Sequence, residues 1–256
     1  MAPGQVDERL ISFVDIAPTV LALAGVPVPP YMEGIPFAGV GKPGENRYVY
    51  AARDRLDETP DRQRAVRDRR YKYILNYNPG TPGAEHLAFR DTLDSMRELW
   101  ALKEEGGLNA AQLRWFEPRP AEELYDTQAD PYEIHNLADN PAYAGQLQRL
   151  RAAYEAWRQR APDLGALPEE QMVRQFWPNL EQPLTAAPEL SLDPQGRVVI
   201  SSATEGASIG VRVGKGRWEL YSGPFRVPPG EQVAARAVRY GWQESRETRL
   251  DIPLTN

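Results

Sequence analysis

Cysteine is absent from this chain, and histidine occurs only at His86 and His135. The first absence excludes disulfides, thiolate metal sites and a cysteine nucleophile, and leaves the redox compartment open. Two histidines exclude a metal centre built from several imidazoles. No apolar run approaches the ~20 residues that cross a bilayer as a helix, so no membrane span is expected. Long runs of lysine and arginine are also missing. With 30 basic against 36 acidic residues and a net charge of −6, a nucleic-acid partner is not expected. The first residues lack a basic stretch followed by an apolar core, so no signal peptide is legible.

Proline is abundant, at 24 of 256 residues, and predicts many loops and sharply ended elements rather than disorder. The length suits one large domain or two modest ones. Asp15 is placed to cap a helix over residues 16–24, with Pro18 in its first turn and Gly25 at its end. Residues 27–46, rich in Pro and Gly, read as a long surface connection. Strands are predicted at 47–52, 64–67 and 71–77, the last two joined by the charged turn Asp68-Arg69-Arg70. Helices are predicted over 89–105, from Asn109, and over 141–160. In the last, Leu147, Leu150, Tyr154 and Trp157 recur at helical spacing and read as core.

Residues 122–139 organise this half of the chain. Leu124-Tyr125 suits a strand, Asp126, Asp130 and Pro131 supply turn chemistry, and Asn140-Pro141 opens the following helix. Composition shifts at 178–188, a proline-marked linker. Beyond it, short strands at 190–192, 198–200, 209–213, 218–221 and 233–240 alternate with Gly/Pro turns, which indicates a small β-sandwich.

Glu-Leu-Tyr-Asp at 123–126, Asp-Pro-Tyr-Glu at 130–133 and Asn-Leu-Ala at 136–138 together resemble the closing signature of type I sulfatases. These are formylglycine-dependent members of the alkaline-phosphatase superfamily. Ser12 to Thr19, followed by Leu21 and Ala24-Gly25-Val26, is similar to the helix after the last strand region of that family's main α/β domain. Ala2-Pro3-Gly4 resembles the loop before it. Arg67-Asp68-Arg69-Arg70-Tyr71-Lys72-Tyr73-Ile74 resembles the hairpin of the family's small C-terminal sheet. Glu205-Gly206-Ala207-Ser208-Ile209, Trp218 to Tyr221 with Pro224, and 235–245 resemble a chitobiase-type C-terminal β module. The expected fold class is therefore α+β. Residues 1–182 would form a truncated sulfatase C-terminal region, with a small antiparallel sheet packed with helices, and 183–256 a β-sandwich appendage.

The resemblance implies sulfate-ester hydrolysis, with sulfated glycans as the substrate class. It also implies calcium and formylglycine as cofactors of the full-length enzyme, and a periplasmic or extracellular location. In that family the Cys/Ser-x-Pro-x-Arg nucleophile, the calcium ligands and the sulfate-binding Lys and His precede the helix that here begins near Asp15. No catalytic, cofactor-binding or metal residue is therefore assigned, and no sulfate-ester turnover is expected from this chain alone. Apolar Ile16, Val20, Leu21 and Leu23 are expected to lack a covering sheet.

Ser222-Gly223-Pro224-Phe225-Arg226 matches the nucleophile motif formally. Val227-Pro228-Pro229-Gly230 follows, however, and cannot continue a helix. Asp126, Gln128 and Asp130 fall at the first positions of an EF-type calcium loop, but Pro131 and Leu137 break the template, so they read as turn formers. His135 reads as a surface or turn-bonded side chain.

The remaining candidates lie at the loop leaving the first strand, which in sulfatases borders the cleft. Arg53 and Arg55 suit anionic groups, and Asp54 and Asp57 suit sugar hydroxyls. His86, with Tyr77 and Asn78, is a further candidate for this substrate rim. Two other functions fit the residues. One is a non-catalytic carbohydrate- or partner-binding protein, with Trp218, Tyr221, Tyr240 and Trp242 as a stacking platform. The other is part of a related phosphodiesterase or phosphonate hydrolase.

Overall fold

The computed structural model describes residues 4, 6–40, 44–161 and 163–254. Ala2 and Pro3 of the proline-glycine landmark lie outside them. The chain divides into two compact units, Met1–Gly165 and Ala166–Asn256.

In the first unit, four strands form one antiparallel sheet in the order β1 (Val49–Leu56), β2 (Thr59–Arg67), β3 (Tyr71–Asn76), β4 (Glu122–Asp126). The turn before β3 is built as its residues suggest. Asp68 Oδ1 accepts from the backbone N–H of Arg70 at 2.7 Å and of Tyr71 at 2.6 Å. One face of the sheet is apolar. Val66, Tyr73 and Leu124 pack there against Leu147, Leu150, Ala153 and Tyr154 of α4 (Ala144–Arg160), the helix predicted from their spacing. Leu124 and Leu150 are wholly buried, each contributing about 1.5–3 kcal/mol of transfer free energy. Asn140 opens this helix through a 3-10 turn, its side chain accepting from Ala142 N–H at 3.0 Å.

The 122–139 stretch closes the edge of its own sheet. Asn136 Oδ1 accepts from Leu124 N–H at 2.9 Å, Asn136 Nδ2 donates to Glu122 O at 3.1 Å, and Leu137 N–H donates to Leu124 O at 2.8 Å. An edge strand whose backbone groups are taken this way offers no template to another chain. Asp126 and Asp130 are turn formers. Asp126 accepts Arg70 through both carboxylate oxygens, and Asp130 accepts His135 N–H at 2.7 Å.

α1 spans Ile16–Leu23, but Asp15 does not cap it. Its carboxylate turns back to Ser12 N–H (2.8 Å) and across to Ile35 N–H (2.8 Å) and Asn46 Nδ2 (2.7 Å). It thereby pins the long 27–46 connection to the helix start. The helix buries its small side: Thr19 and Ala22 lie under that connection, so close that a Cβ on Gly39 (φ +108°) would meet the Ala22 carbonyl carbon at 2.5 Å. Ile16, Val20 and Leu23 face solvent, as expected, with Phe13 and Val14 beside them, and Leu21 is half-buried.

The helix predicted over 89–105 is broken. A 3-10 turn at Arg90–Thr92 precedes α2 (Asp94–Glu104), because Leu93 adopts an extended conformation between them. α3 (Ala110–Leu113) starts at Asn109 as predicted, with Asn109 and Gln112 bonding each other's backbone N–H groups at 2.9 Å.

The second unit begins with α5 (Glu169–Phe176), which the sequence reading missed. A hairpin of β5 (Glu189–Leu192) and β6 (Val198–Ser201) follows, then a four-stranded antiparallel sheet. Its order is β10 (Thr248–Asp251), β9 (Gln232–Val238), β7 (Ser208–Val213), β8 (Glu219–Leu220). Val198 and Ile200 of the hairpin share one core with Val211, Val233 and Ala235 of the sheet. Among the described residues, no helix is long and apolar enough to cross a membrane.

Candidate substrate-rim site

Residues 53–58 are not a loop leaving β1. The strand continues to Leu56, with a bulge between Arg53 and Arg55, and turns tightly through Asp57 and Glu58 into β2. Backbone pairing with β2 outlasts the apolar pattern, so charged residues finish the strand. Asp57 takes the left-handed conformation the turn requires (φ +47°), which aspartate tolerates. Tyr77 and Asn78 at the exit of β3 lie at this same end of the sheet.

The charges of the hairpin divide between the two sheet faces. On the face shared with α4, buried Arg64 holds Asp54 at 2.7 Å and Asp163 at 2.5 Å. It also donates to the carbonyls of Arg53 (3.0 Å) and Gln63 (2.7 Å). Arg62 bonds the second oxygen of Asp163 at 2.8 Å and lies 3.8 Å over the Tyr77 ring. The Tyr77 hydroxyl meets that of Tyr154 on α4. Gly165 closes over this cluster, where a Cβ would meet Asp54 Oδ1 at 2.0 Å. On the other face Asp61 receives Arg53 and also Arg119, the latter at 2.8 and 3.1 Å. Next to it runs a polar ladder, Gln63 to Asn76 to Glu123 to Tyr125.

His86 reaches the hairpin from the segment between β3 and α2. Glu58 accepts Ala88 N–H at 2.7 Å, which draws the hairpin tip to that segment. The imidazole stacks on Trp100 at 4.0 Å, and Nδ1 meets Asp91 Oδ2 at 2.7 Å. The other oxygen of Asp91 accepts Trp100 Nε1 at 3.2 Å. That leaves the His86 Nε2 edge facing solvent, the side chain being 71% exposed. Thus Arg53 and Asp54 are engaged in ion pairs on opposite faces, whereas Asp57 and His86 stand at the tip. Asp61, Arg62, Arg64, Arg119 and Asp163 were not singled out from the sequence. The one available signal was Arg62-Gln63-Arg64, two cations at strand spacing at the start of a predicted strand.

Desolvation pushes the Asp163 carboxyl up, but hydrogen bonds from Arg64 and Arg62 outweigh it and hold its pKa below the usual range. For Asp68, burial is likewise outweighed by the Tyr71 and Arg70 N–H groups and by Arg149. Groups whose pKa is lower in the folded state add stability that is complete above the unfolded value, about 3.9, and is lost as pH falls through the folded value. Thermal melts of the chain between pH 6 and pH 2 are expected to show a flat Tm down to about pH 4 and a falling one below. A Tm that rises on acidification would contradict these contacts.

No family model matches the chain. Over 252 residues, 95% of this chain and 42% of the relative, it is 39% identical to an ulvan-active sulfatase of Formosa agariphila. A second ulvan-active sulfatase of that organism is 33% identical over 168 residues, 63% of this chain and 31% of the relative. A solved 2-O GAG sulfatase is 26% identical and covers 60% of this chain and 26% of its own. Its TM-score of 0.40 is too low to argue a shared fold from. The chain spans less than half the length of the curated relatives it matches. These relatives support the sulfatase family for this chain, in agreement with the landmarks at 12–26, 67–74 and 123–138.

Proposed function

We propose that this chain serves sulfate-ester hydrolysis on sulfated glycans, as the C-terminal region of a calcium- and formylglycine-dependent sulfatase. The observation that carries this reading is 39% identity over 252 residues to a sulfatase named for activity on ulvan. The relatives favour neither the phosphodiesterase reading nor a purely carbohydrate-binding one. Under this reading the two-sheet unit at the end of the chain is a β-sandwich appendage of chitobiase type.

The residues described do not themselves fit the metal or the formylglycine precursor. Among them, no group of three or more His, Asp or Glu is placed to hold a metal ion. Ser222 of the formal Ser-x-Pro-x-Arg match leads into no helix: Phe225 pairs with Val198 and packs on Tyr221 in the core of the second unit. No chemical step is therefore assigned to either group. The part proposed for this chain is to hold the sugar that bears the sulfate, at the end of the first sheet. With Arg53 and Asp54 tied into ion pairs, Asp57 and the Nε2 edge of His86 are the groups placed to bond sugar hydroxyls or sulfate oxygens.

The test is an exchange. This chain replaces the matching 252 residues of the ulvan-active sulfatase, and release of sulfate from ulvan is measured for the chimera and for the isolated chain. The chimera is expected to turn over and the chain alone to release nothing. His86→Ala in the chimera is expected to raise KM roughly tenfold, the loss of one hydrogen bond to a charged group. A folded chimera without activity, or calcium-dependent turnover by the isolated chain, overturns the reading.

A further inference from the structure

The outer face of the second unit's sheet, turned away from its core, carries a group of side chains that the proposed activity does not use. The four aromatics expected as a stacking platform do not form one. Tyr221 packs into the core, where its hydroxyl accepts Ile200 N–H at 3.1 Å. Tyr240 is fully exposed, and Trp242 lies under Arg239. Trp218 alone lies on the outer face, over Gly210, where a Cβ would meet its ring at 3.6 Å.

Register sets its surroundings. Gly210 on β7 is opposite Arg236 on β9, Arg212 on β7 is opposite Ala234, and Ala234 is opposite Arg249 on β10. Residues directly opposite in an antiparallel pair share a face, so Arg212, Arg236 and Arg249 stand together. Ala234, whose side chain is a single methyl group, is only 4% exposed between these long side chains. The Arg212 and Arg236 guanidiniums lie 4.7 and 4.2 Å from the Trp218 ring centroid. Stacking on an indole fixes a guanidinium plane without using its N–H edges.

Those edges are poorly matched within the chain. Glu247 faces all three arginines but makes a close bond only to Arg249, at 2.7 Å. Arg236 is 3.5 Å and Arg212 3.7 Å from it. Arg236 has a second acid, Glu244, at 3.1 Å, and Arg212 has none among the described residues. Among the described residues the buried Nε–H of Arg212 makes no hydrogen bond, and that of Arg236 faces Glu247 Oε2 only at 3.5 Å. Three guanidiniums thus share two carboxylates, and the Arg249 bond, with Arg212 and Arg236 near, holds the Glu247 carboxyl below its ordinary pKa. From β7 to β10 the group extends across two strand spacings, about 10 Å, which suits a chain better than a lone ion.

The geometry points to a second, non-catalytic binding site: Arg212, Arg236 and Arg249 around Trp218 hold the sulfate groups of a sulfated polysaccharide chain. Tetrahedral oxyanions on a pyranose suit the site, since guanidinium edges bond their oxygens while the indole holds the guanidinium planes. The choice of sulfate as the anion rests on the proposed glycan sulfatase reading. The site itself rests on the residues above. Its role would be to keep the protein on the polymer, and it needs no contact with the first unit.

The test uses the full chain and isothermal titration with a heparin hexasaccharide, its desulfated counterpart that keeps the uronates, and a neutral oligosaccharide. Binding to the sulfated chain is expected, weakening as salt rises. The double substitution Arg212→Ala with Arg236→Ala is expected to weaken it at least roughly tenfold, with the fold checked by circular dichroism. Arg158→Ala, which removes an exposed charge from α4, controls for net charge. Glu247→Gln removes the competing carboxylate and is expected to tighten binding. Equal affinity for the desulfated chain, an equal loss on Arg158→Ala, a loss on Glu247→Gln as large as that of the arginine pair, or no binding at all overturns the proposal. None of these outcomes bears on sulfate release by the chimera, so the two readings fail separately.

Discussion

Leu150→Ala is expected to lower the unfolding free energy of the first unit by about 3–5 kcal/mol. Leu150 is fully buried at the middle of α4 and packs into the cluster formed by Val66, Tyr73 and Leu124 of three successive strands. Those strands are hydrogen-bonded to one another along their length. The wall opposite the missing side chain therefore cannot move in, and the cavity stays open. Helix α4 has other anchors, Arg149 on Asp68, Arg151 on Glu122 and Trp157 stacked on Tyr50, so the truncation is expected to open a cavity rather than to release the helix. Urea unfolding followed by far-ultraviolet circular dichroism reads the effect as a midpoint lowered by about 1.5–2.5 M, at a slope near 2 kcal/mol/M. A loss under about 1 kcal/mol would show that the helix is not docked as described.

Arg64→Met is expected to cost about 3–5 kcal/mol, for a different reason. The Arg64 side chain is 3% exposed and serves four acceptors: Asp54, Asp163 and two carbonyls. Removing the cation leaves Asp163, itself only 16% exposed, facing Arg62 alone, and strands two carbonyls within the sheet end. Methionine matches the volume, so the loss measures unpaired polar groups rather than a cavity. The cost should shrink when Asp163→Asn is added, because the uncompensated charge is then gone. A double-mutant cycle by urea unfolding isolates that coupling. Additive losses would mean that the pair does not act as a unit. Lysine at position 64 is not expected to rescue, since a single ammonium cannot reach in four directions as a guanidinium does.

The elements that were legible share one property: their signal is local. Leu147, Leu150 and Tyr154 repeat at helical spacing, Tyr71 to Asn76 is β-prone over its whole length, and Asn109 and Asn140 are cap residues in front of helices. The illegible ones depend on partners far away. Residues 53–58 look like a charged loop because each charge is read in isolation. They extend a strand because Arg53 meets Asp61 across the hairpin, and Arg64 and Asp163, 99 residues apart, meet beneath them. Strand β10 has no apolar run, and pairing with β9 alone makes it a strand. Asp15 shows how a correct residue can take another role. It is a good cap by type, but Ile35 and Asn46 compete for its carboxylate and win.

By itself the sequence determined the antiparallel sheet covered by an amphipathic helix and the family resemblance; it placed the division of the chain after residue 182, whereas the compact units divide after Gly165. It also determined what the residues exclude, from disulfides to a multi-histidine metal centre. Each of these follows from residue type and spacing along the chain. Tertiary structure decided which charges are engaged and which remain available. Arg53 and Asp54 are drawn into ion pairs, His86 is oriented by Asp91 and Trp100, and Arg212, Arg236 and Arg249 are gathered around one tryptophan. The physical reason is that an ion pair is set by distance in space, and strand register brings together side chains that the sequence keeps tens of residues apart.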